Sequence, residues 1–352
     1  MDPLAALRRI AFLLERQQAP TYRVKAFRGA ALAAARLPAG DLERRAAAGS
    51  LADVKGIGPK TAAVIEQALA GQVPAYLVDL EDRSGELAPA GQELRAALRG
   101  DLHVHSDWSD GGSPVEEMVV TAAELGHEYV AVTDHSPRLT VANGLAPDRL
   151  RRQLDLVARL DARMPGLRVL SGIECDINED GTLDQEDELL GRLDLVVASV
   201  HSKLRSPAPV MTERMLAAVN DPHTDVLGHC TGRLVASGPD RGRPDRRPES
   251  VFDAAAVFAA CAERGVAVEI NSRPERLDPP LRLLRQAVEA GCLFSIDTDA
   301  HAPGQLDWQL FGCERAQECG VPVDRIVNTW PVERLLEWTH RDRGNPPGAA
   351  GA

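Results

Sequence analysis

The sequence lacks the long apolar runs of a membrane protein. No stretch approaches the ~18 consecutive apolar residues that read as a membrane-spanning helix. The first helical pattern contains Arg8, Arg9, Glu15 and Arg16, and these charges exclude the apolar segment of a signal peptide. We therefore expect a cytoplasmic protein with no membrane partner.

Cysteine is also scarce. Six cysteines are too few and too scattered for a disulfide framework. The sequence has no C-x-x-C pair, so it does not predict a cysteine-based structural zinc site. We expect reduced thiols at all six positions, namely Cys175, Cys230, Cys261, Cys292, Cys313 and Cys319.

The composition is typical of a globular protein, and its charged residues are distributed unevenly along the chain. The chain has 352 residues, 44% apolar and 26% charged, which allows a large core and roughly two domains of about 100–200 residues each. Residues 1–78 contain 11 Lys and Arg against 6 Asp and Glu, a balance of +5. Because the net charge of the whole chain is −12, residues 79–352 carry a charge of −17. A basic module is a candidate for contact with phosphate, whereas excess carboxylate indicates metal sites, solubility or both.

The N-terminal part has helical patterns throughout and predicts an all-α domain over residues 1–80. Its most informative segment is ADVKGIGPKTAAVI, residues 52–65. This segment predicts two short helices joined by Gly-Ile-Gly, with Pro59 at the start of the second helix. A polar stretch over residues 81–99 is predicted to be a linker, and residues 341–352 are predicted to be a flexible tail.

Residues 100–340 alternate short β-branched runs with amphipathic helical patterns. Seven predicted strands separated by helices indicate a parallel sheet of βα units, and a region of this length suits a closed or nearly closed barrel. The predicted fold class is thus an α/β barrel preceded by a small all-α domain. The predicted strands are 102–105, 129–134, 167–174, 193–201, 225–229, 266–271 and 292–299.

Histidines concentrate at the ends of these predicted strands. Buried imidazoles need hydrogen-bond partners, so packing alone does not explain six of them at one barrel end. Imidazoles and carboxylates together are ligands for Zn, Mn or Fe, and the sequence therefore predicts a multinuclear metal site. The six histidines are His103, His105, His135, His201, His229 and His301, and Asp110, Glu174 and Asp299 accompany them.

Seven segments resemble, in order and spacing, the motifs of the polymerase and histidinol phosphatase (PHP) family. They are DLHVHSDWSDG, VTDHS, GIECDI, ASVHSK, LGHCTGR, VEINSRPERLD and IDTDAHAP. The resemblance covers residues 100–340 and implies a distorted (β/α)7 barrel with three divalent metal ions. It implies that one ion is held by His103, His105, Glu174 and Asp299, that Glu174 bridges to a second ion held with His201 and His229, and that Asp110, His135 and His301 hold the third.

The same resemblance implies phosphoester hydrolysis by a metal-bound water held by Glu174, His103 and His105. Candidate contacts to the substrate phosphate are Lys203, Arg233, Arg273 and Ser136, since cations near such a centre can hold phosphate. The alternative is that the three cations are solvated loop residues. The Arg-rich loop over residues 238–250 is predicted to be either a solvated loop or a lip that contacts DNA.

The N-terminal domain resembles the small DNA-end-binding domain of family X DNA polymerases, on the helix–hairpin–helix pattern and the preceding FRGAALAAARLP. Backbone N–H groups at a helix start can approach a phosphate. The resemblance implies DNA contacts by Gly56, Gly58, Lys60, Arg23 and Arg28, while the alternative is a purely structural helical cap. Tyr76 to Gly100 leaves no room for the nucleotidyltransferase that such polymerases carry between these two modules.

The expected function is therefore metal-dependent hydrolysis at nucleic-acid ends or gaps, without an organic cofactor. The reaction would be 3′-to-5′ exonuclease, 3′-phosphatase or abasic-site cleavage. One alternative is a small-molecule phosphatase of the histidinol phosphatase type, and another is a non-catalytic DNA-binding protein. The helix–hairpin–helix pattern favours the first over the second, and the complete ligand set favours both enzymes over the third.

Overall fold

A computed structural model describes residues 1–237 and 245–341. The chain divides into two compact units, Met1–Glu86 and a second that begins at Leu87. This boundary lies inside the predicted linker, and Leu94 and Leu98 are buried in the core of the second unit. The segment 87–99 is therefore part of the barrel unit and not a linker, because its leucines pack there.

The predictions for two parts of the chain lie outside the described residues. These are Arg241 and Arg243 of the Arg-rich loop and the predicted tail beyond Arg341. Within residues 1–237 and 245–341, no helix combines the length and the apolar character that crossing a bilayer requires.

The first unit is helical, as the sequence predicts. Leu7, Ile10 and Leu14 lie on one face of its first helix and are fully buried, which is why apolar residues recur there at helical spacing. Asp2 caps this helix, since its carboxylate accepts the N–H of Ala5 at 2.7 Å. The helices are α1 (Pro3–Arg16), α2 (Thr21–Ala35), α3 (Asp41–Ala47), α4 (Pro59–Leu69) and α5 (Ala75–Arg83).

The second unit contains a seven-stranded parallel sheet in the order β1-β2-β3-β4-β5-β6-β7. The strands are β1 (Gly100–Val104), β2 (Tyr129–Val132), β3 (Arg168–Asp176), β4 (Leu195–Ser199), β5 (Val226–Leu227), β6 (Ala267–Asn271) and β7 (Leu293–Asp297). A parallel bridge between Val104 and Ala300 joins the two ends of the sheet. The Leu102 N–H also donates to Asp297 Oδ1 at 2.9 Å. The nearly closed barrel confirms the predicted fold class.

Helices accompany these strands along the chain. Because apolar side chains cover both faces of the sheet, its strands read in the sequence as nearly continuous apolar runs. The helices are α6 (Gln92–Ala97), α7 (Val115–Glu124), α8 (Pro147–Asp161), α9 (Asp187–Leu190), α10 (Ala208–Val219), α11 (Ala254–Arg264), α12 (Leu281–Glu289), α13 (Gln309–Glu318) and α14 (Val332–Thr339).

One buried histidine outside the strand ends makes the stability of this unit depend on pH. His127 follows α7 and is 3% exposed, and its Nε2 lies 3.2 Å from Nη2 of Arg95. Burial, with Arg95 beside it, lowers the pKa of His127 to about 3. Below its ordinary pKa of about 6.5, the unfolded chain binds a proton that the folded chain does not. The stabilisation is therefore present above about pH 6.5 and is lost as the pH falls towards 3.

We expect His127→Gln to flatten the acid side of the stability profile. Between pH 6.5 and 5 the parent protein should lose about 2 kcal/mol more than the variant, from ~1.4 kcal/mol per pH unit for one proton. Urea unfolding at several pH values measures this slope. His340→Gln, at an exposed position, is the control and should keep the parent slope. Equal slopes in all three proteins would contradict the assignment.

Candidate metal centre

The carboxyl ends of the strands bring the nine candidate ligands together. His103 lies in β1, Glu174 lies in β3, and the others lie in the loops that follow the strands. The rings are close, with centroids 4.2 Å apart for His105 and His301 and 4.4 Å apart for His105 and His135. Parallel strands present their carboxyl ends at one edge of a barrel, which explains this convergence.

Glu174 lies at the centre of the cluster and is 1% exposed. Its Oε1 lies 2.8 Å from His229 Nε2 and 3.1 Å from His201 Nε2. Its Oε2 faces three other imidazole nitrogens, at 2.9 Å from His135 Nδ1 and at 3.4 Å from Nε2 of both His103 and His105. One carboxylate therefore contacts side chains from β1 and from the loops after β1, β2, β4 and β5.

Three sets of side chains place their ligand atoms within 4.8 Å of one another. The sets overlap, as expected of a centre in which ligands are shared between ions. They are His105, Asp110, His135 and His301, then His103, His105 and Asp299, and finally His135, Glu174 and His201. The assignment of particular residues to three particular ions remains a prediction.

The residues fit divalent metal ions. Several buried nitrogen and oxygen atoms have no hydrogen-bond partner, and each such atom costs about 1–3 kcal/mol unless something binds it. Nitrogen and carboxylate donors in this ratio suit Zn, Mn or Fe. The atoms are His103 Nε2, both ring nitrogens of His105, His201 Nε2, His229 Nδ1 and Glu174 Oε2.

The electrostatics of the cluster indicate a need for positive charge. Burial opposes the negative charge of Glu174, but His201, His103 and His135 outweigh it and hold its pKa well below the usual range. Burial likewise opposes the charge of His201, yet Glu174 and Asp176 raise its pKa to about 9. These carboxylates therefore favour positive charge on the neighbouring imidazoles, and bound divalent ions would supply that positive charge instead.

Asp299 has the most constrained backbone of the candidate ligands. Its φ of +53° lies in the left-handed region, which non-glycine residues adopt at a cost and which is concentrated at functional sites. Although burial opposes its charge, Arg276 and Arg273 keep the pKa of Asp299 well below the usual range. Its Oδ2 is 2.9 Å from Arg276 Nε and accepts the Asn271 side-chain N–H at 3.2 Å.

A pocket of about 350 Å³ opens onto this cluster. The pocket combines metal-ligating groups, guanidinium groups and a short apolar edge, which is the donor set that an organic phosphoester requires. Its lining consists of Asp110, His135, Leu139, Val141, Ala142, His201, Leu234, Arg246, Arg273, Glu275, Arg276 and His301.

The predicted phosphate contacts occupy different positions. Arg273 lines the pocket, with Nη1 2.8 Å from His301 Nδ1 and Nε donating to Glu275 at 2.7 Å. Ser136 Oγ accepts the N–H of Asp176 at 2.8 Å. Among the described residues, the pocket wall includes neither Lys203, which is exposed, nor Arg233.

Arg233 instead supports the loop that carries Arg276, a residue that the sequence analysis did not identify as a candidate phosphate contact. Its Nε donates to the carbonyl of Arg276 at 3.0 Å, and its Nη2 donates to the carbonyl of Leu277. Arg276 lines the pocket, and its buried Nη1 has no hydrogen-bond partner. The sequence signal for Arg276 was its place in SRPERLD, three residues after Arg273.

In the helical unit, Lys60 and Arg23 lie around one aromatic ring. Lys60 Nζ lies 5.1 Å from the ring centroid of Tyr76, and Arg23 Nη2 donates to the Tyr76 hydroxyl at 2.6 Å. Lys60 is exposed in the first turn of α4. These two cations and a phenol form a surface of the kind that phosphate groups bind.

The remaining predicted DNA contacts, Arg28, Gly58 and Gly56, also make contacts within the helical unit. Arg28 binds buried Glu15 through two hydrogen bonds of 2.9 and 2.7 Å, and its contact with DNA phosphate remains a prediction. Gly58 N–H donates to Thr61 Oγ1 at 3.0 Å. Gly56 has a φ of +100°, and a Cβ there would lie 3.3 Å from Ala33 Cβ, so the hairpin requires glycine at this position.

Comparison with known families agrees with both units. The PHP domain profile matches residues 101–273, and a helix-hairpin-helix domain profile matches residues 1–73. The barrel and its histidine-lined end therefore define a PHP-domain protein. Together with the first unit, the chain belongs with the proteins that join a helix-hairpin-helix domain to a PHP domain.

Two curated relatives are similar to much of this chain. It is 36% identical over 265 residues to the DNA polymerase/3'-5' exonuclease PolX of Bacillus subtilis (strain 168), which covers 75% of this chain. The chain spans 44% of the length of that protein. It is also 29% identical over 261 residues to a "Probable phosphatase" of Serratia proteamaculans, covering 70% of this chain and 95% of that one.

One solved structure also matches part of this chain. The histidinol phosphate phosphatase of Lactococcus lactis, solved with zinc, L-histidinol and phosphate, has 19% sequence identity and a TM-score of 0.47. The comparison covers 63% of this chain and 92% of that one.

Proposed function

We propose that this protein is a metal-dependent phosphoesterase that hydrolyses phosphoester bonds at nucleic-acid ends. The observation that carries the proposal is the convergence of imidazole and carboxylate side chains at one end of the barrel, where a pocket lined by Asp110, His135, His201 and His301 also presents Arg273 and Arg276. The identity to a polymerase/exonuclease and the basic helix-hairpin-helix domain support nucleic acid as the substrate.

The side chains would divide the reaction among them. Divalent ions in such a centre lower the pKa of water and offset charge on the phosphoryl oxygens. His103, His105, Glu174 and Asp299 would hold one ion, His201 and His229 a second with Glu174, and Asp110, His135 and His301 the third. Arg273 and Arg276 would bind the phosphoryl oxygens, because a guanidinium donates two parallel N–H groups to them.

The pocket is also large enough for a small phosphomonoester, and this favours a second candidate function. Relatives described as "Probable phosphatase" match most of their own length to this chain. One assay discriminates the two functions: purified protein with Mn²⁺ is offered end-labelled oligonucleotides and, in parallel, small phosphomonoesters including histidinol phosphate. Faster turnover of oligonucleotide ends supports the proposal, and turnover of the monoesters alone would overturn it.

We expect Lys60→Glu to raise KM for DNA and to leave kcat nearly unchanged. Lys60 lies on the helical unit, so its loss removes binding that ground state and transition state share. Because a phosphate contact releases counterions, the variant should also show a shallower salt dependence, by about one unit of log–log slope. Steady-state kinetics on a labelled oligonucleotide at several salt concentrations measure both effects.

The control is Lys25→Glu, the same charge change at an exposed position of α2. It should alter KM less than Lys60→Glu if α4 contacts the backbone phosphates. A small phosphodiester should be hydrolysed equally by all three proteins. If Lys60→Glu impairs the small ester as much as DNA, Lys60 acts on the folded enzyme and not on substrate binding.

A further inference from the structure

A buried carboxylate outside the nine candidate ligands contacts two of them. Glu269 lies in the middle of β6 and is completely buried. Its Oε1 lies 2.6 Å from His103 Nδ1. Its Oε2 accepts the backbone N–H of His229 at 2.5 Å. One side chain thus joins β6 to a ligand in β1 and to the loop that follows β5.

The first contact determines which nitrogen of His103 can bind a metal ion. A carboxylate only accepts hydrogen bonds, so Nδ1 must carry the proton. Nε2 then has its lone pair available, and it is the atom that points to Glu174 Oε2 at 3.4 Å and has no hydrogen-bond partner. The opposite tautomer would present an N–H to the centre and could not act as a ligand.

The second contact requires that the other oxygen also be an acceptor. Oε2 receives the His229 N–H and the Asn271 side-chain N–H, the latter at 3.3 Å. Both carboxylate oxygens of Glu269 therefore face hydrogen-bond donors, and a carboxylate can accept from all of them. A glutamine of the same shape offers one oxygen and one NH₂ group, so it must meet either His103 or His229 with a donor.

We propose that Glu269 is a positioning residue that fixes the tautomer of His103 and the backbone of His229, and thereby sets the affinity for the ion that His103 holds. The inference rests on the metal-dependent function proposed above. It assigns a role to a residue that binds neither substrate nor metal. Such outer carboxylates typically contribute 10–100-fold to metal affinity.

Asp176 performs the corresponding role at a second histidine. Its Oδ1 lies 3.2 Å from His201 Nδ1 and accepts the His201 backbone N–H at 3.0 Å. His201 Nε2 then faces Glu174. Since His103 and His201 fall in different sets of ligand atoms, the two carboxylates should control different ions.

The test compares metal binding in Glu269→Gln, Asp176→Asn and the double variant, with Zn²⁺ alone titrated into metal-free protein. Each single variant should bind one ion 10–100-fold more weakly, and the double variant should bind two ions more weakly. Asp194→Asn is the matched control, because Asp194 accepts the N–H and the hydroxyl of Ser171 at the other end of β4, each at 2.8 Å. It should bind Zn²⁺ as the parent does.

Two results would overturn the inference. The first is parent-like Zn²⁺ affinity in Glu269→Gln, and the second is weaker binding of one and the same ion in both single variants and in the double variant. If Glu269→Gln does not fold, the parent protein still decides: long-range ¹H–¹⁵N spectra of the Zn²⁺-loaded chain must show His103 protonated at Nδ1, and protonation at Nε2 would refute the proposal. These readouts do not involve hydrolysis, so a protein that binds Zn²⁺ as expected but cleaves no phosphoester would refute only the proposed function.

Discussion

Glu174→Ala is expected to abolish phosphoester hydrolysis and to reduce the metal content of the protein. Glu174 contacts five imidazoles through its two oxygens and is 1% exposed, so its removal leaves two of the three proposed ions without the ligand they share. A loss well beyond 100-fold in kcat is expected, since even outer contacts to metal ligands contribute 10–100-fold. Elemental analysis and turnover of an oligonucleotide with Mn²⁺ measure the two effects.

The control for this variant is Glu289→Ala, at an exposed position of α12. It should retain both activity and metal. Thermal unfolding separates loss of the centre from loss of the fold, because Glu174→Ala should unfold as cooperatively as the parent protein. Full activity in Glu174→Ala would refute the assignment of the centre.

Arg276→Met is expected to lower kcat by about 100- to 1,000-fold on DNA and on a small phosphodiester alike, the range seen when one donor to a developing negative charge is removed. The guanidinium lies on the pocket wall, is 2.9 Å from Asp299, and has a buried Nη1 without a partner. Arg276→Lys should recover only part of the rate, because an ammonium group lacks the planar pair of donors.

The comparison that isolates this effect is Arg246→Met. Arg246 also lines the pocket but is exposed, and we expect its loss to change KM and its salt dependence and not kcat. Metal content should be equal in both variants. Equal kcat values in the parent and in Arg276→Met would show that this guanidinium does not act on the reacting phosphate.

The strands, the histidines that follow them and the helices of the first unit could be predicted from the sequence, because each depends on a short segment of the chain. Each strand of the barrel is a short apolar run, and the histidines follow those runs directly, so the topology alone brings His135, His201 and His229 to one end. The helical unit was likewise predictable because its buried leucines recur at helical spacing. The sequence does not reveal that residues 87–99 belong to the barrel unit, because Leu94 and Leu98 sit among polar residues and only the folded barrel shows what they pack against.

Glu269 and Arg276 could not be found in the same way. Glu269 contacts His103, 166 residues earlier in the chain, and no local pattern predicts such a pairing. One signal was available: a glutamate within the apolar run VAVEIN is costly to bury unless it is paired. The sequence does not distinguish Arg276 from Arg273 and Arg233 as a phosphate contact, because the direction of each guanidinium depends on how the loop after β6 folds.

The distribution of the candidate ligands along the chain constrains when the centre can be assembled. The first is His103 and the last is His301, so the cluster requires β1 and β7 to meet at the seam where Val104 bridges Ala300. During synthesis, a chain that ends before β7 lacks Asp299 and His301. The ions assigned to Asp299 and to His301 would therefore bind only after β7 has joined β1, and contacts of such long sequence separation form slowly. Such ions would bind the closed barrel and not the unfolded chain, so they would stabilise the contact between its first and last strands.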